Sequence, residues 1–157
     1  MYFVDCIDIH GQMRRLPKTD LIFRPAVFAI VVHDEQLLVL TLKATGKRHL
    51  PGGGVDLGDT LETTLKRELQ EETGVEIEVG NLVYVAELFF YYNPSGKAYH
   101  GLHFYYSCRP KSVTLLADAQ VQDGSAEKPR WVALNSLQAD DFQNDGEMIL
   151  AAARQGT

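Results

Sequence analysis

The chain has 157 residues, of which 45% are hydrophobic and 23% are charged, a composition that excludes a disordered or fibrous protein. There are 15 lysine and arginine residues against 21 aspartate and glutamate residues, and the formal net charge of -6 argues against a protein that coats nucleic-acid phosphates. Two cysteines cannot build a disulfide framework, and acidic residues interrupt the N-terminus before an apolar signal segment forms. We therefore expect one domain over residues 1–157, located in the cytoplasm, with neither a membrane nor a nucleic-acid partner.

The first third of the chain is predicted to form strands. Tyr2–Ile7 alternates apolar and polar residues, and Ile22–Val32 is rich in strand-forming side chains. Gln36–Leu42 follows after a short polar turn and is the predicted hairpin partner of Ile22–Val32. The segment Lys43–Leu57 contains several glycines, so we predict a loop there.

A helix is predicted to follow this loop, from Thr60 to Thr73. Asp59 is expected to be its N-cap, with Glu62 three residues later as the partner in a capping box. Gly74 is placed to end the helix in the left-handed conformation. The helix is therefore bounded by recognisable signals at both ends.

The remaining elements are strands and one terminal helix. Glu76–Tyr92 and Tyr99–Cys108 are two predicted strands joined by a turn, and Val113–Ala117 and Arg130–Leu134 are shorter candidates. A helix is predicted over residues 145–154. Strands that flank one internal and one terminal helix indicate an α/β fold with a mixed β-sheet.

The charges of the internal helix break the pattern of an ordinary surface helix. The leucines of this helix define its inward face on a helical wheel: Leu61, Leu65 and Leu69. Glu68 and Glu72 point into that same face, and Glu71 lies beside it. All three glutamates also occupy the C-terminal part of the helix, where the helix dipole disfavours negative charge. A bound divalent cation removes both penalties, and clustered carboxylates suit Mg²⁺ or Mn²⁺. The alternative is an ordinary solvated acidic face.

These residues belong to a longer pattern. Residues 53–75 resemble the Nudix box, G-x5-E-x7-R-E-U-x-E-E-x-G-U, where U is aliphatic. All its defined positions match except one, where Asp59 stands in place of the first glutamate. The resemblance implies a Nudix-type α/β/α sandwich. It also implies an enzyme that hydrolyses the pyrophosphate bond of a nucleoside diphosphate linked to another group, with Mg²⁺ or Mn²⁺ as the cofactor.

The resemblance also implies roles for individual residues. Glu68 and Glu72 match the family's main metal ligands, and the backbone carbonyl of Gly53 matches a further one. Glu71 matches a residue that shares the metal or acts near the catalytic base. Arg67 matches an arginine that orients a catalytic glutamate.

A downstream loop often supplies one more carboxylate in this family. Glu127 is our candidate because it lies shortly before Trp131, and Asp118 and Asp123 compete with it. An exposed loop acid without a function is the alternative interpretation of Glu127.

Several residues are candidates for binding the substrate. The glycine loop allows a close approach of phosphates to the backbone at Gly52 and Gly54. The other candidates are Arg24, which lies inside an apolar strand and is therefore expected to have an anionic partner in the substrate or in the protein, the basic residues Lys43 and Arg48, and Tyr91 in an aromatic run. The expected partner is a small nucleotide: a nucleoside triphosphate, an oxidised nucleotide, a dinucleoside polyphosphate or a nucleotide sugar. A homodimer is compatible with the sequence, which does not set the number of subunits.

A second class of function uses the same fold without catalysis. Such a protein would sense a nucleotide or bind a partner. The intact set of Glu68, Glu71 and Glu72 favours the enzyme.

Overall fold

The computed structural model describes residues 2–122 and 124–156, and Asp123, one of the candidate acids, lies outside these residues. The described residues form a β-sheet, two α-helices and four short 3-10 helices. In chain order the elements are β1 (Phe3–Asp8), β2 (Met13–Pro17), β3 (Leu21–His33), β4 (Gln36–Leu42), β5 (Arg48–His49), β6 (Gly52–Gly54), α1 (Leu61–Thr73), β7 (Ile77–Tyr92), β8 (Lys97–Pro110), β9 (Ala126–Ala133) and α2 (Gly146–Gln155).

The strands form a mixed sheet in the order β2-β1-β7-β8-β3-β4-β5, with β6 paired to β3 and β9 paired to β4. The pairs β3–β8 and β1–β7 are parallel, and the others are antiparallel. Strand β3 lies at the centre, because β8, β4 and β6 all pair with it.

The two helices pack on opposite faces of this sheet. Successive side chains of a strand point to opposite faces, and β3 uses both. Its residues Val27, Ala29 and Val31 pack in one cluster with Leu65 and Leu69 of α1. Its residues Ala26, Phe28 and Ile30 pack in a second cluster with Ile149, Leu150 and Ala153 of α2. The predicted α/β class and mixed sheet are thus confirmed.

The helix α1 begins one residue later than predicted. Thr60 is its N-cap, and the Thr60 hydroxyl accepts a hydrogen bond from the Thr63 N–H across 3.0 Å. The Thr63 hydroxyl accepts one from the Thr60 N–H in return, so a pair of threonines forms the capping box. The predicted roles of Asp59 and Glu62 are therefore wrong. Gly74 ends the helix with φ +78°, as predicted.

Three other predictions of elements need correction. Two short strands, β5 and β6, lie in the segment predicted to be a loop, and β6 forms because Gly52–Gly54 pairs with Ala26–Phe28. Strand β2 has no counterpart in the prediction. Residues Val113–Ala117 form no strand within the described chain, since backbone groups of this segment instead bond to the end of α1 and to Trp131.

None of the described helices combines the length and the apolar composition that crossing a membrane requires.

Candidate active site

A cavity of about 710 Å³ opens between the glycine strand β6, the C-terminal half of α1 and the hairpin that joins β7 to β8. One wall carries the three carboxylates Glu68, Glu71 and Glu72 together with Arg67. The lining also carries cations and aromatic rings, among them Arg24, Lys97, Phe90, Tyr92 and Tyr99. We call the part of the lining that carries the three carboxylates the acidic wall.

The glycine strand contacts the helix through one hydrogen bond. The N–H of Gly52 donates to Oε1 of Glu72 across 2.8 Å. Only glycine fits this position, because Gly52 has φ +148° and a Cβ there would lie 2.0 Å from the carbonyl oxygen of Val27. The close pairing of β6 on β3 thus sets the position of the Glu72 carboxylate.

The next two glycines leave room for charged side chains. A Cβ on Gly53 would lie 2.9 Å from Oε1 of Glu68, and a Cβ on Gly54 would lie 2.5 Å from Nε of Arg24. The carboxylate of Glu68 and the guanidinium of Arg24 therefore pack directly against the glycine backbone of β6.

Burial raises the proton affinity of two of the glutamates. Desolvation raises the pKa of Glu72 to about 8, and the nearby Glu68 and Glu71 add to this effect while the Gly52 N–H opposes it. Desolvation also raises the pKa of Glu68, partly opposed by Arg67. Negative charge on this face is therefore costly without a cation.

Arg67 joins the other two glutamates. Its Nη1 lies 3.3 Å from Oε1 of Glu68 and 3.3 Å from Oε2 of Glu71. The side chain of Glu71 is 36% exposed and that of Glu68 is 19% exposed. Arg67 therefore bridges the more buried carboxylate to the more accessible one at the cavity wall.

The donor atoms fit a hard divalent cation. Within residues 2–122 and 124–156, no group of three or more histidine, cysteine, aspartate or glutamate side chains is already closed around one metal position. Glu68 and Glu72 nevertheless lie one turn apart, line one cavity and are both destabilised as anions by burial. Carboxylate oxygens in such a place are the ligands that Mg²⁺ and Mn²⁺ prefer.

The structure brings most of the predicted site residues to this cavity. They are Arg24, Gly52, Gly53, Gly54, Arg67, Glu68, Glu71 and Glu72.

Other predicted residues lie outside the cavity. Arg48 donates to the Thr41 hydroxyl, and the ring of Tyr91 lies under the guanidinium of Arg14 at 4.3 Å. Lys43 is exposed beside this cavity wall rather than part of it. Among the candidate acids, Glu127 lies 4.0 Å from Lys128 and Asp118 forms an ion pair with Arg130. The side chains of Glu127 and Asp118 do not contact the three glutamates of α1 in this structure.

Sequence reasoning missed the inner end of the cavity. Phe28, His49 and His103 line it, with ring centroids of Phe28 5.2 Å from His49 and 5.0 Å from His103. Burial lowers the pKa of each histidine to about 4, so both are neutral near pH 7. One feature of the sequence could have indicated His103: it shares a face of its strand with Tyr99 and Tyr105. No such feature indicated His49, because its strand was not predicted.

The chain is similar to known proteins in both sequence and fold. The NUDIX domain model matches residues 22–152, which include the glycine strand, the helix α1 and most of the residues that line the cavity. The chain belongs to the NUDIX family.

Two curated relatives match the chain over part of its length. A MutT-like protein of Streptomyces ambofaciens is 39% identical over 75 residues, which are 43% of this chain and 49% of the relative. An ADP-ribose pyrophosphatase of Methanocaldococcus jannaschii is 38% identical over 77 residues, which are 46% of each chain. The NUDIX chain thus spans about half the length of the curated relatives it matches.

Solved structures share the fold. A MutT NUDIX hydrolase of Burkholderia pseudomallei superposes with a TM-score of 0.65 at 24% identity, over 83% of this chain and 97% of that one. A UDP-X diphosphatase gives a TM-score of 0.58 at 21% identity, over 86% and 64%. At these identities the likeness confirms the α/β/α sandwich expected of a NUDIX protein.

Proposed function

We propose that this NUDIX protein hydrolyses a pyrophosphate bond in a nucleoside diphosphate linked to another group, and that it needs Mg²⁺ or Mn²⁺. The observation that carries the proposal is the Glu72 carboxylate, which is partly buried, has a raised pKa and is held by the Gly52 N–H beside Glu68 and Glu71. Such an arrangement costs stability in a protein that binds no cation. It supports metal binding at the acidic wall.

Glu68, Glu72 and the carbonyl oxygen of Gly53 would hold the cation. When bound, it supplies charge neutralisation for the diphosphate and makes a water molecule more acidic. Phosphoryl transfer needs positioning and charge neutralisation more than a covalent intermediate. The reaction therefore requires no activated serine or cysteine.

The remaining residues of the acidic wall, Glu71 and Arg67, would accept a proton and position the carboxylates. Glu71 is more accessible than Glu68, so we assign it the role of accepting a proton from the attacking water. Arg67 would hold Glu71 and Glu68 at their present separation through its two ion pairs. It is thus a positioning residue in this proposal.

Arg24 is the best supported substrate-binding residue. Its guanidinium lies over Gly54 and 5.5 Å from the Tyr99 ring, and it forms no hydrogen bond or ion pair with the residues that the structure describes. A cation in that position faces the space beside the carboxylates where a phosphate would lie. Gly52, Gly54 and Lys97 complete that side of the cavity.

The rings at the inner end of the cavity suit the part of the substrate that lies beyond the phosphates; they belong to Phe28, His49 and His103. A neutral aromatic wall with polar edges accepts a flat heterocycle better than a charged group. The relatives named as a MutT-like protein and as an ADP-ribose pyrophosphatase are consistent with a nucleotide substrate, which we propose to be small rather than a nucleic-acid polymer. The free cysteines Cys6 and Cys108 are consistent with a cytoplasmic setting.

A substrate panel tests the proposal. The protein is incubated with Mg²⁺ and nucleoside triphosphates, oxidised nucleotides, dinucleoside polyphosphates and nucleotide sugars, and the release of phosphate or pyrophosphate is measured. We expect turnover of at least one class, reduced about 100-fold or more in Glu72→Gln. Glu62→Gln is the matched control, since Glu62 pairs with Lys66 on the solvent side of the same helix. Nucleotide binding without turnover across the whole panel would instead support a sensor.

A further inference from the structure

A row of apolar side chains crosses the sheet at the outer end of the cavity. Tyr99 of β8 pairs with Phe90 of β7, and Phe90 pairs with Ile7 of β1. Residues that pair in neighbouring strands share a face of the sheet, so the three side chains stand side by side. All three line the cavity, and we call them the outer row.

The two rings of the outer row turn their edges to the cavity. Their centroids are 5.0 Å apart and their planes differ by 24°, so the rings stand beside each other at about the spacing of neighbouring strands. Ring edges pack well against the face of a flat group, in the edge-to-face arrangement that aromatic pairs favour. Ile7 is 42% exposed and continues this surface. The outer row therefore offers a substrate mainly apolar contacts.

The cation that we assign to phosphate binding lies between the outer row and the inner rings. Along one face of β8 the alternate residues are Tyr99, Gly101 and His103. Arg24 pairs with Gly101, and its guanidinium lies 5.5 Å from the Tyr99 ring. A Cβ on Gly101 would lie 3.1 Å from Nε2 of His103 and 3.2 Å from Cε1 of Phe90, so glycine leaves room for both rings. A phosphate chain bound at Arg24 therefore has aromatic groups on both sides.

Hydrogen bonds on either side of the strand end hold Ile7 in this position. The side chain of the next residue, Asp8, is 3% exposed, and its carboxylate accepts two backbone N–H bonds of 2.9 Å from the turn that follows. The N–H of Ile9 donates to Oδ1 of Asn93 across 3.1 Å, and the carbonyl of Ile9 accepts from Nε2 of Gln143 across 3.1 Å. The outer row is therefore organised before a substrate binds, which lowers the entropic cost of binding.

We propose that Ile7 is a specificity-determining residue, and that the outer row binds the second heterocycle of a substrate that carries one heterocycle at each end of its phosphate chain. This inference rests on the proposed function. Two nucleosides joined through phosphates have this shape. The NUDIX match begins at residue 22, so the family resemblance by itself gives no role to Ile7.

The other candidate substrates fit this cavity less well. A nucleoside triphosphate carries one heterocycle and would leave either the inner rings or the outer row uncovered. A nucleotide sugar would place hydroxyl groups against the outer row, where they lose hydrogen bonds to water. A second heterocycle instead covers apolar surface on both partners.

The ratio of two kcat/KM values tests this assignment. Diadenosine tetraphosphate carries two heterocycles and ATP carries one, and the corresponding guanosine pair is measured beside them. In the pair that is hydrolysed faster, we expect the wild type to favour the substrate with two heterocycles about tenfold or more, mainly through KM. Both rates scale with the amount of folded enzyme, so partial unfolding does not change the ratio.

Three variants assign the preference to the outer row. Ile7→Ser removes the apolar side chain, and we expect the ratio to fall about fivefold while kcat/KM for the triphosphate changes less than about twofold. Ile7→Leu keeps an apolar side chain and should keep the ratio within about twofold of the wild type. Phe3→Ser is the matched control, since Phe3 lies on the same strand, is 43% exposed and does not line the cavity.

The assignment is overturned if the wild type hydrolyses the triphosphate as efficiently as the substrate with two heterocycles, or if Ile7→Ser leaves the ratio unchanged. An equal fall of the ratio in Phe3→Ser would also overturn it, because the effect would then be structural. Turnover of triphosphates or nucleotide sugars alone contradicts this inference and leaves the proposed function standing. A lack of turnover across the whole panel contradicts both.

Discussion

The N–H of Gly52 donates a hydrogen bond to Oε1 of Glu72 across 2.8 Å, and this contact joins the central sheet to the acidic helix. Gly52 pairs with Phe28 on β3, so the position of the carboxylate follows from the position of the buried sheet. The site is therefore built on rigid elements. Substitutions in β6 separate effects on the fold from effects on the site.

Gly52→Ala and Gly53→Ala are expected to fail in different ways. A Cβ on Gly52 meets the Val27 carbonyl at 2.0 Å and the position has φ +148°, so we expect a loss of about 3 kcal/mol or more in the free energy of unfolding. The three atoms nearest to a Cβ on Gly53 all belong to the carboxyl group of Glu68, the end of a flexible side chain. Gly53→Ala is expected to change stability by less than about 1 kcal/mol while lowering kcat more than tenfold. Urea unfolding and steady-state kinetics measure the two effects; equal stability of both variants would contradict this account.

The start of α1 gives a second prediction. Thr60→Ala removes the hydroxyl that accepts the Thr63 N–H, and we expect a cost of about 1 kcal/mol in the free energy of unfolding. Asp59→Ala should cost less than about 0.5 kcal/mol, since Thr60 and Thr63 form the capping box. Chemical denaturation compares the two variants. A larger loss in Asp59→Ala would restore Asp59 as the cap.

Arg24 gives a prediction about substrate binding. Arg24→Ala removes the cation above Gly54, and we expect KM to rise about tenfold with a smaller change in kcat, because a charge-assisted hydrogen bond to a phosphate is lost. Arg15→Ala is the control, since Arg15 lies on the outer strand β2 against the Phe3 ring. An unchanged KM in Arg24→Ala would remove Arg24 from the substrate site.

Asp8 gives a prediction about pH. Burial alone would raise its pKa, but hydrogen bonds from the N–H groups of Gln12 and His10 and from the side chains of Asn93 and Arg14 lower it to about 2. A lowered pKa means that the ionised form stabilises the folded state.

This stabilisation is complete above the unfolded pKa of about 4 and disappears as the pH falls towards 2. Thermal unfolding between these pH values should therefore show a steeper loss of stability in the wild type than in Asp8→Asn. Asp5→Asn, at an exposed position of the same strand, should behave like the wild type. Parallel curves for the wild type and Asp8→Asn would contradict the prediction.

Much of this site could be predicted from sequence because its key residues lie close together, within residues 53–75. The three carboxylates of the site lie on one helix, where a period of 3.6 residues fixes which side chains share a face. The helical wheel therefore predicts the side of α1 on which Glu68 and Glu72 line the cavity, and Gly74 marks the end of the helix. The predicted cap failed because Asp59 and Thr60 are both good N-cap residues and spacing does not choose between them.

The other half of the cavity depends on pairings between distant parts of the chain. His49 and His103 meet around Phe28 because β5, β8 and β3 belong to one sheet, and no local pattern encodes its strand order. Lys43, Arg48 and Tyr91 are candidates by their charge or ring alone. Their positions outside the cavity show that residue type without register does not predict which side chains line it.

Anomalous scattering from crystals grown with Mn²⁺ tests the central claim most directly. The account predicts an anomalous peak within bonding distance of carboxylate oxygens of both Glu68 and Glu72, absent from crystals of the Glu68→Gln, Glu72→Gln double variant. Wild-type crystals that show no peak at the acidic wall, with both carboxylates turned to solvent at saturating Mn²⁺, would contradict it.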